Sequence, residues 1–452
     1  MPLNFTKINE ELTSRVDDFQ NYRQQLRDEI ESLRTVQRNV LNLDYNDIAK
    51  IINDLKDHDE NNNDQPPFIG AIPTQEYVDE GLILDFDPPF TLKKDSLKNM
   101  VNWAADFIKN KVTVASDGSQ IYSSTDINIP VGVIQVVTYE NAHKPIDNHA
   151  VINQETKVLA PNDLLFQRQG TNQFIINQTP VDTARFCLEM SMLEEKMDDL
   201  KNRQKSHDDC YLMYDGSLIF SFMRNFDEQF KKAHYETLKE ALDKSKSTMY
   251  PVLGYVDSSR AKDVVHMVKA LAGLDYGSEQ IFVTDAYYLE NVAARDPKIK
   301  HTWKWGDRTC TFICDRNDPI YRDYSKYTRC KIGNNIIPDP KDPDKIGHRI
   351  AFFYIKLNNS QLARVEFPEW CLMKNKTNRN IVEEIANIIR AESVLGSGYP
   401  YIIDQCHHRT VIRGEDRLKF LRFFQKFGAV NNVKVRIRNK ARSKMGHSNR
   451  FF

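Results

Sequence analysis

Val112-Thr113-Val114-Ala115-Ser116-Asp117-Gly118-Ser119 is an apolar run that closes on an acid, a glycine and a serine. It reads as a buried strand carried into a tight turn. That placement delivers the Asp117 carboxylate to the rim of a sheet, where open α/β sheets bind their ligands. The same device returns at Cys210-Tyr211-Leu212-Met213-Tyr214-Asp215-Gly216-Ser217. One Asp-Gly is a common turn dipeptide. Two of them at the ends of strongly apolar strands point to a paired-carboxylate site.

Around these strands the pattern alternates. Residues 97–108 predict a helix with Val101, Ala104, Ala105 and Ile108 on one face, 131–137 a partner strand, and 183–203 an acidic amphipathic helix. Beyond Asp215 come a helix at 228–247, a strand at 250–256, a helix at 261–271 and a strand near 280–284. Strands at 309–314, 350–357 and 362–367, a loop at 338–344, a helix at 379–393 and a Gly-rich turn at 396–400 complete the series. Such alternation argues for an α/β fold with a central mixed sheet and flanking helices. The first 57 residues differ. Ile8, Leu12, Val16, Phe19, Tyr22, Leu26, Ile30, Leu33, Val36 and Val40 recur at steps of three and four, predicting a long, coiled-coil-like helical arm, with a second helical piece at 45–55. Residues 58–67 read as a polar, Pro-terminated linker, 68–430 as the body and 431–452 as a basic tail.

Of the 452 residues 40% are hydrophobic and 28% charged, the balance of a soluble globular chain. No run of about 18 apolar residues and no charged-then-apolar start occur, so no membrane partner is expected and the cytoplasm is the expected location. Seven scattered cysteines do not make a disulfide framework. Cys310 and Cys314 sit in an alternating strand with no second Cys/His pair nearby, so zinc is not expected. The net charge of −1 advertises no polyanion, but 431–452 hold seven Lys or Arg and no acid. Alternation from Val433 to Arg438 predicts a strand with Lys434, Arg436 and Arg438 on one face, either a solvated edge that discourages aggregation or a row that meets backbone phosphates.

Glu189 stands beside Leu188 and Met190, three residues after Phe186. An acid in such company is costly to bury unless it is paired or binds metal. Arg185, one helical turn earlier, offers the ion-pair alternative. Glu194 and Glu195 compete for the same role, although Lys196, Asp198 and Asp199 mark a solvated face. Later, His407 follows Tyr399 by eight residues, with His408 beside it. Three carboxylates, a His and a Tyr, with no sign of a redox or sulfur cofactor, suit manganese or magnesium. They point to phosphodiester hydrolysis assisted by two ions.

In its order, this set resembles the NurA family of DNA-repair nucleases. The matching pieces are Ser116-Asp117-Gly118-Ser119, Arg185 through Glu189, Tyr214-Asp215-Gly216-Ser217-Leu218, and Tyr399-Pro400 with His407, over about 112–412. The resemblance implies an RNase H-like fold and a manganese site of Asp117, Glu189, Asp215 and His407, with Tyr399 beside it. It further implies single-strand exonuclease and endonuclease activity, a homodimer, and a HerA-like hexameric ATPase as partner in processing DNA ends. The chain departs from the family in the length of the Glu189–Asp215 interval, where 201–206 resemble an insertion. It departs again at Asp257, which stands where the family carries a basic residue, leaving Arg260 or Lys262 to contact phosphate. The alternatives are a catalytically inactive DNA-binding or scaffold subunit and, last, a carboxylate-pair glycosidase. The latter fits poorly with 4 Trp and no sugar-stacking platform.

Overall fold

The computed structural model describes residues 3–439 apart from 42, 61–67, 89–95, 145–149, 168–173, 221–225, 275–280, 317–347 and 374–379. Two units form, each from two stretches of chain: Met1–Pro89 with Val256–Asn380, and Phe90–Tyr255 with Ile381–Phe452. The first opens with α1 (Phe5–Ser14), α2 (Val16–Val40), α3 (Tyr45–Glu60), β1 (Gly70–Pro73), α4 (Glu76–Asp79) and β2 (Ile83–Leu84). Next, the second unit contributes α5 (Ser96–Ile108), β3 (Val112–Ile121), β4 (Gly132–Asn141), β5 (Val151–Leu159) and α6 (Pro161–Leu164). It continues with the hairpin β6 (Leu165–Gln167) and β7 (Phe174–Ile176), then α7 (Thr179–Asn202), β8 (Cys210–Asp215), α8 (Glu228–Thr248) and β9 (Val252–Val256). The chain returns to the first unit for α9 (Asp263–Leu271), α10 (Asp285–Asn291), β10 (Arg308–Thr309), β11 (Phe312–Asp315), β12 (Ile350–Ile355) and β13 (Ala363–Pro368). It ends in the second with α11 (Ile381–Leu395), α12 (Tyr401–Thr410) and α13 (Gly414–Val430).

In the first unit, β1, β11, β12 and β13 form an antiparallel ladder, with β10 joining β12 to β2. Its centre is aromatic: Phe312, Phe352, Phe353 and Phe367 are fully buried. The expected continuous arm is two helices, interrupted at Arg15. In α2 only Ile30, Leu33, Gln37 and Val40 are buried, and this C-terminal half packs on α9. Leu12, Val16 and Phe19 stay exposed. The strand expected near 280–284 is not one over its described part. Phe282 and Val283 instead donate their backbone N–H groups to the Glu29 carboxylate at 2.7 and 3.0 Å. A side chain of the arm thus satisfies donors that a sheet would otherwise take.

The second unit's sheet runs in the order β5-β4-β3-β8-β9. β3, β4 and β5 are antiparallel neighbours; β3, β8 and β9 are parallel. Here the structure corrects the reading of the first Asp-Gly-Ser. β3 does not turn at Asp117 but continues through Ser119, with Asp117 opposite Val137 and Gly118 opposite Val136 on β4. The ten-residue partner strand β4 supplies hydrogen bonds past the glycine and holds it extended. The second Asp-Gly does end its strand, and Gly216 N donates to Tyr214 O at 3.0 Å in a tight reversal.

Val433 to Arg438 is extended rather than a regular strand, with one bridge, Ile127 to Ile437. The expected alternation holds from Lys434 onward, whereas Val433 is exposed. Val435 and Ile437 are buried, whereas Lys434, Arg436 and Arg438 are exposed. The sequence reading left out α13, whose Leu418, Phe420, Leu421 and Phe424 pack on Ile127, Val131 and Ile437. Residues 338–344, 61–67 of the linker and 440–452 of the tail lie outside the described residues.

Candidate metal centre

Register assembles the centre. β3 and β8 run parallel with Ser116 beside Tyr214, so the next step along both strands sets Asp117 beside Asp215. Successive side chains of a strand point to opposite faces. Thr113 and Ser119 make their hydrogen bonds to Glu392 of α11 and to Ile412 N, just past α12. Asp117 shares their face. Ser116 makes its bond to the carbonyl of Glu189 on α7. Thus α7 covers one face of β3, and α11 and α12 cover the other.

From the α12 side, His407 Nδ1 lies 2.9 Å from Asp117 Oδ2. With Nδ1 so engaged, Nε2 is the nitrogen left to ligate or to carry a proton. α12 is held at both ends. Ile402 N donates to Glu392 Oε2 at 2.9 Å, and Thr410 Oγ1 donates to the Asp117 carbonyl at 3.3 Å. The preceding turn presents Tyr399, whose hydroxyl donates to Asp215 Oδ1 at 2.8 Å. This turn needs glycine: a Cβ on Gly396 would lie 1.9 Å from the Tyr399 carbonyl oxygen. Tyr255 packs edge-on against the Tyr399 ring at 5.2 Å.

Glu189 arrives from the opposite face. It sits in the buried stripe of α7, between Phe186 and Leu193, and is 1% exposed. Gly118 makes room for it, because a Cβ there would stand 2.5 Å from Glu189 Oε1. The glycine is therefore a gap in the sheet's side-chain layer, through which the carboxyl reaches the plane of the strands. Arg185 Nη1 is 3.5 Å from Glu189 Oε1 and donates to the Gly118 carbonyl at 3.1 Å. The ion pair expected as an alternative is present but incomplete, since Glu189 Oε2 has no hydrogen-bond partner. Burial pushes the Glu189 carboxyl up to about 8, opposed by Arg185 and reinforced by Asp117 and Asp215. Burial also raises Asp215, against the Tyr399 hydrogen bond and with Asp117 adding to the rise.

Ligand atoms of Asp117, Asp215 and His407 all lie within 4.8 Å of one another. The second such group among the described residues, Asp85, His301 and Asp307, is otherwise occupied. Asp307 accepts the Phe86 and Lys304 backbone N–H groups, and Lys304 Nζ lies 3.5 Å from Asp85. The alternatives weighed in the sequence are not members of the Asp117, Asp215 and His407 group. His408 faces Asp404 at 3.3 Å. Glu194, pushed up to about 7 by burial, has Glu240 and Lys244 of α8 as its charged neighbours. Glu195 is exposed. Arg260 and Lys262 belong to the other unit; Arg260 is exposed and Lys262 Nζ donates to the Ile281 carbonyl.

The sequence reading named Arg185 as an ion-pair partner and part of a family motif, and quoted Ser119 in the first Asp-Gly-Ser without giving it a role. Thr410 it did not find, and nothing local marks it.

The NurA domain family model matches residues 111–412, more than half of the chain, a span that includes Asp117, Arg185, Glu189, Asp215, Tyr399 and His407. The chain belongs to the NurA family. NurA proteins are nucleases that act on DNA. Among solved structures, one described as NurA with manganese is 12% identical to this NurA chain. That match covers 69% of this chain and 87% of the other, with a TM-score of 0.27. No curated protein matches. No helix among the described residues is long and apolar enough to cross a membrane.

Proposed function

We propose that this NurA protein is a metal-dependent deoxyribonuclease that hydrolyses phosphodiester bonds of single strands and DNA ends, with Asp117, Glu189, Asp215 and His407 holding two manganese or magnesium ions. One observation carries the reading: two carboxylates and an imidazole converge on one point, while a third carboxyl, fully buried, sets one oxygen against Gly118 of the same strand and leaves the other without a hydrogen-bond partner. Like charges gathered this closely, with Glu189 and Asp215 raised by burial, want a cation. Oxygen donors with one imidazole suit manganese and magnesium rather than a soft ion.

When bound, such ions supply Lewis acidity toward a phosphate and lower the pKa of a water. The chain's own part is positioning. Tyr399 fixes the rotamer of Asp215 through its hydroxyl, and Arg185 locks the carbonyl of Gly118 so that Glu189 stays in its gap. His407, its Nδ1 held by Asp117, keeps Nε2 for an ion. The exposed Lys434, Arg436 and Arg438 row binds the strand's phosphates, with Arg260 and Lys262 as further candidates.

The sheet order, three antiparallel strands followed by two parallel ones, supports an RNase H-like reading of the second unit. Work on DNA ends with a HerA-like translocase, in a cytoplasmic homodimer, completes the proposal. Labelled single-stranded DNA incubated with manganese, magnesium or EDTA tests the chemistry. Wild type should cut only with metal, and Asp117→Asn and Asp215→Asn should not cut while still binding the strand. Near-normal cleavage by either variant removes that residue from the centre.

A further inference from the structure

α13 begins beside the metal centre: Ile412 N, two residues before it, donates to Ser119 Oγ, two residues beyond Asp117. Its inner face is accounted for by Leu418, Leu421, Phe424 and Gly428. At Gly428 the returning chain crosses so closely that a Cβ would lie 2.5 Å from the Val433 carbonyl. The outer face is of another kind. Phe423 is 69% exposed, Phe427 48% and Val430 81%, far beyond what a helix with a buried stripe normally leaves in water. Phe423 and Phe427 are one turn apart, about 6 Å along the axis. Lys419, Arg422 and Lys426 flank them, all exposed.

From Arg417 to Asn439 there are seven Lys or Arg and no acid. Every one of the seven is exposed, on α13 or on the extended segment that returns along it. The acids of α13 itself, Glu415 and Asp416, are confined to its first turn, and Asp416 pairs with Lys419 at 3.3 Å.

We infer that this face of α13 is a stacking platform for a single nucleic-acid strand on its way to the metal centre: Phe423 and Phe427 take bases, and Lys419, Arg422 and Lys426 take phosphates. The inference rests on the nuclease reading and adds the surface that engages the substrate. A second copy of the chain would bring like charge against like charge. A single strand offers what this face lacks, negative charge at regular intervals together with flat apolar rings. A duplex keeps its bases stacked inside and would meet only the cations.

The test is strand binding in EDTA, where no cleavage occurs, using a fluorescent oligothymidylate and a duplex of equal length. Phe423→Ala with Phe427→Ala should weaken oligothymidylate binding by at least about tenfold and leave duplex binding unchanged. Phe423→Trp with Phe427→Trp should bind as wild type. Phe423→Leu with Phe427→Leu should bind as weakly as the alanine pair, since leucine is apolar but cannot stack. Replacing Lys419, Arg422 and Lys426 by Gln should flatten the log-log salt dependence by up to about 2. Manganese-dependent hydrolysis of bis(p-nitrophenyl) phosphate, too small to reach α13, should be unchanged in all of them. Unchanged oligothymidylate affinity of the alanine pair overturns the platform and leaves the nuclease reading standing. Leucine variants that bind as wild type, or alanine variants that fall to a smaller assembly by light scattering, overturn it in favour of a protein interface. Absence of hydrolysis in the wild type sinks the nuclease reading alone.

Discussion

Replacing Glu189 by Gln should stabilise the metal-free protein at neutral and alkaline pH while destroying its response to manganese. In the folded chain burial carries this carboxyl from 4.5 to about 8. Between those values the folded protein holds a proton that the unfolded chain has released, so stability falls as pH rises through the window and levels off above it. At about 1.4 kcal/mol per pH unit the total is about 5 kcal/mol, an upper bound for one group. Glutamine keeps the shape and has no proton to lose. Urea unfolding in EDTA from pH 4.5 to 9 should therefore give two curves that coincide at the acid end and diverge above it, the variant being the more stable. Manganese at a hundredfold excess over its Kd should restore about 2.7 kcal/mol to the wild type. The variant should recover little of that. Curves that stay parallel across the range would mean that Glu189 does not change protonation on folding, and equal stabilisation of both proteins by manganese would take it out of the centre.

Gly118→Ala places a methyl group 2.5 Å from Glu189 Oε1 and 2.8 Å from Arg185 Cγ. Overpacking of this kind costs roughly 1–3 kcal/mol, and thermal melting should show that loss together with a large drop in metal-dependent cleavage; cleavage at the wild-type rate would mean that Glu189 need not occupy the gap. Neutralising Lys434, Arg436 and Arg438 to Gln should flatten the salt dependence of single-strand binding by very roughly 0.7 in log-log slope per lost contact. Titrations with the wild-type slope would free these residues from any phosphate role. Deleting residues 1–21 removes the exposed Leu12, Val16 and Phe19 but spares Glu29 and the buried Ile30, Leu33 and Val40. The truncated chain should fold and assemble to a lower state by light scattering, and an unchanged mass would exclude the arm as an assembly element.

What could be read in the sequence was what local pattern controls. Both Asp-bearing strands, α7 and the helices α8 and α9 follow from their own periodicity, and Glu189 stood out because it interrupts an apolar stripe. The turn at Asp117 was misread because Asp-Gly favours reversal only in the absence of a partner. β4 lies beyond the reach of a local signal and overrides it. The strand near 280–284 was misread for the converse reason: its backbone donors are taken by Glu29, some 250 residues earlier in the chain. The single bridge at Ile437 shows an alternating pattern can be satisfied by an extended segment without a ladder. Division into two units, each built from separated stretches, has no compositional boundary to betray it. The choice of His407 over its neighbour needed the rotation of α12, which sequence spacing alone does not give.

Tyr399 and His407 touch two different acids of the centre, Asp215 and Asp117, and most of the interval between them is one helix. That helix works as a ruler of fixed graduation, about 1.5 Å and 100° per residue. Losing one residue between 402 and 406 would carry His408 into the place of His407, and the chain would still offer an imidazole to Asp117. Gaining one would bring round Cys406, whose thiol is now buried against the carbonyls of Ala115 and Val137. The paired histidines therefore make the centre tolerant of contraction and intolerant of extension.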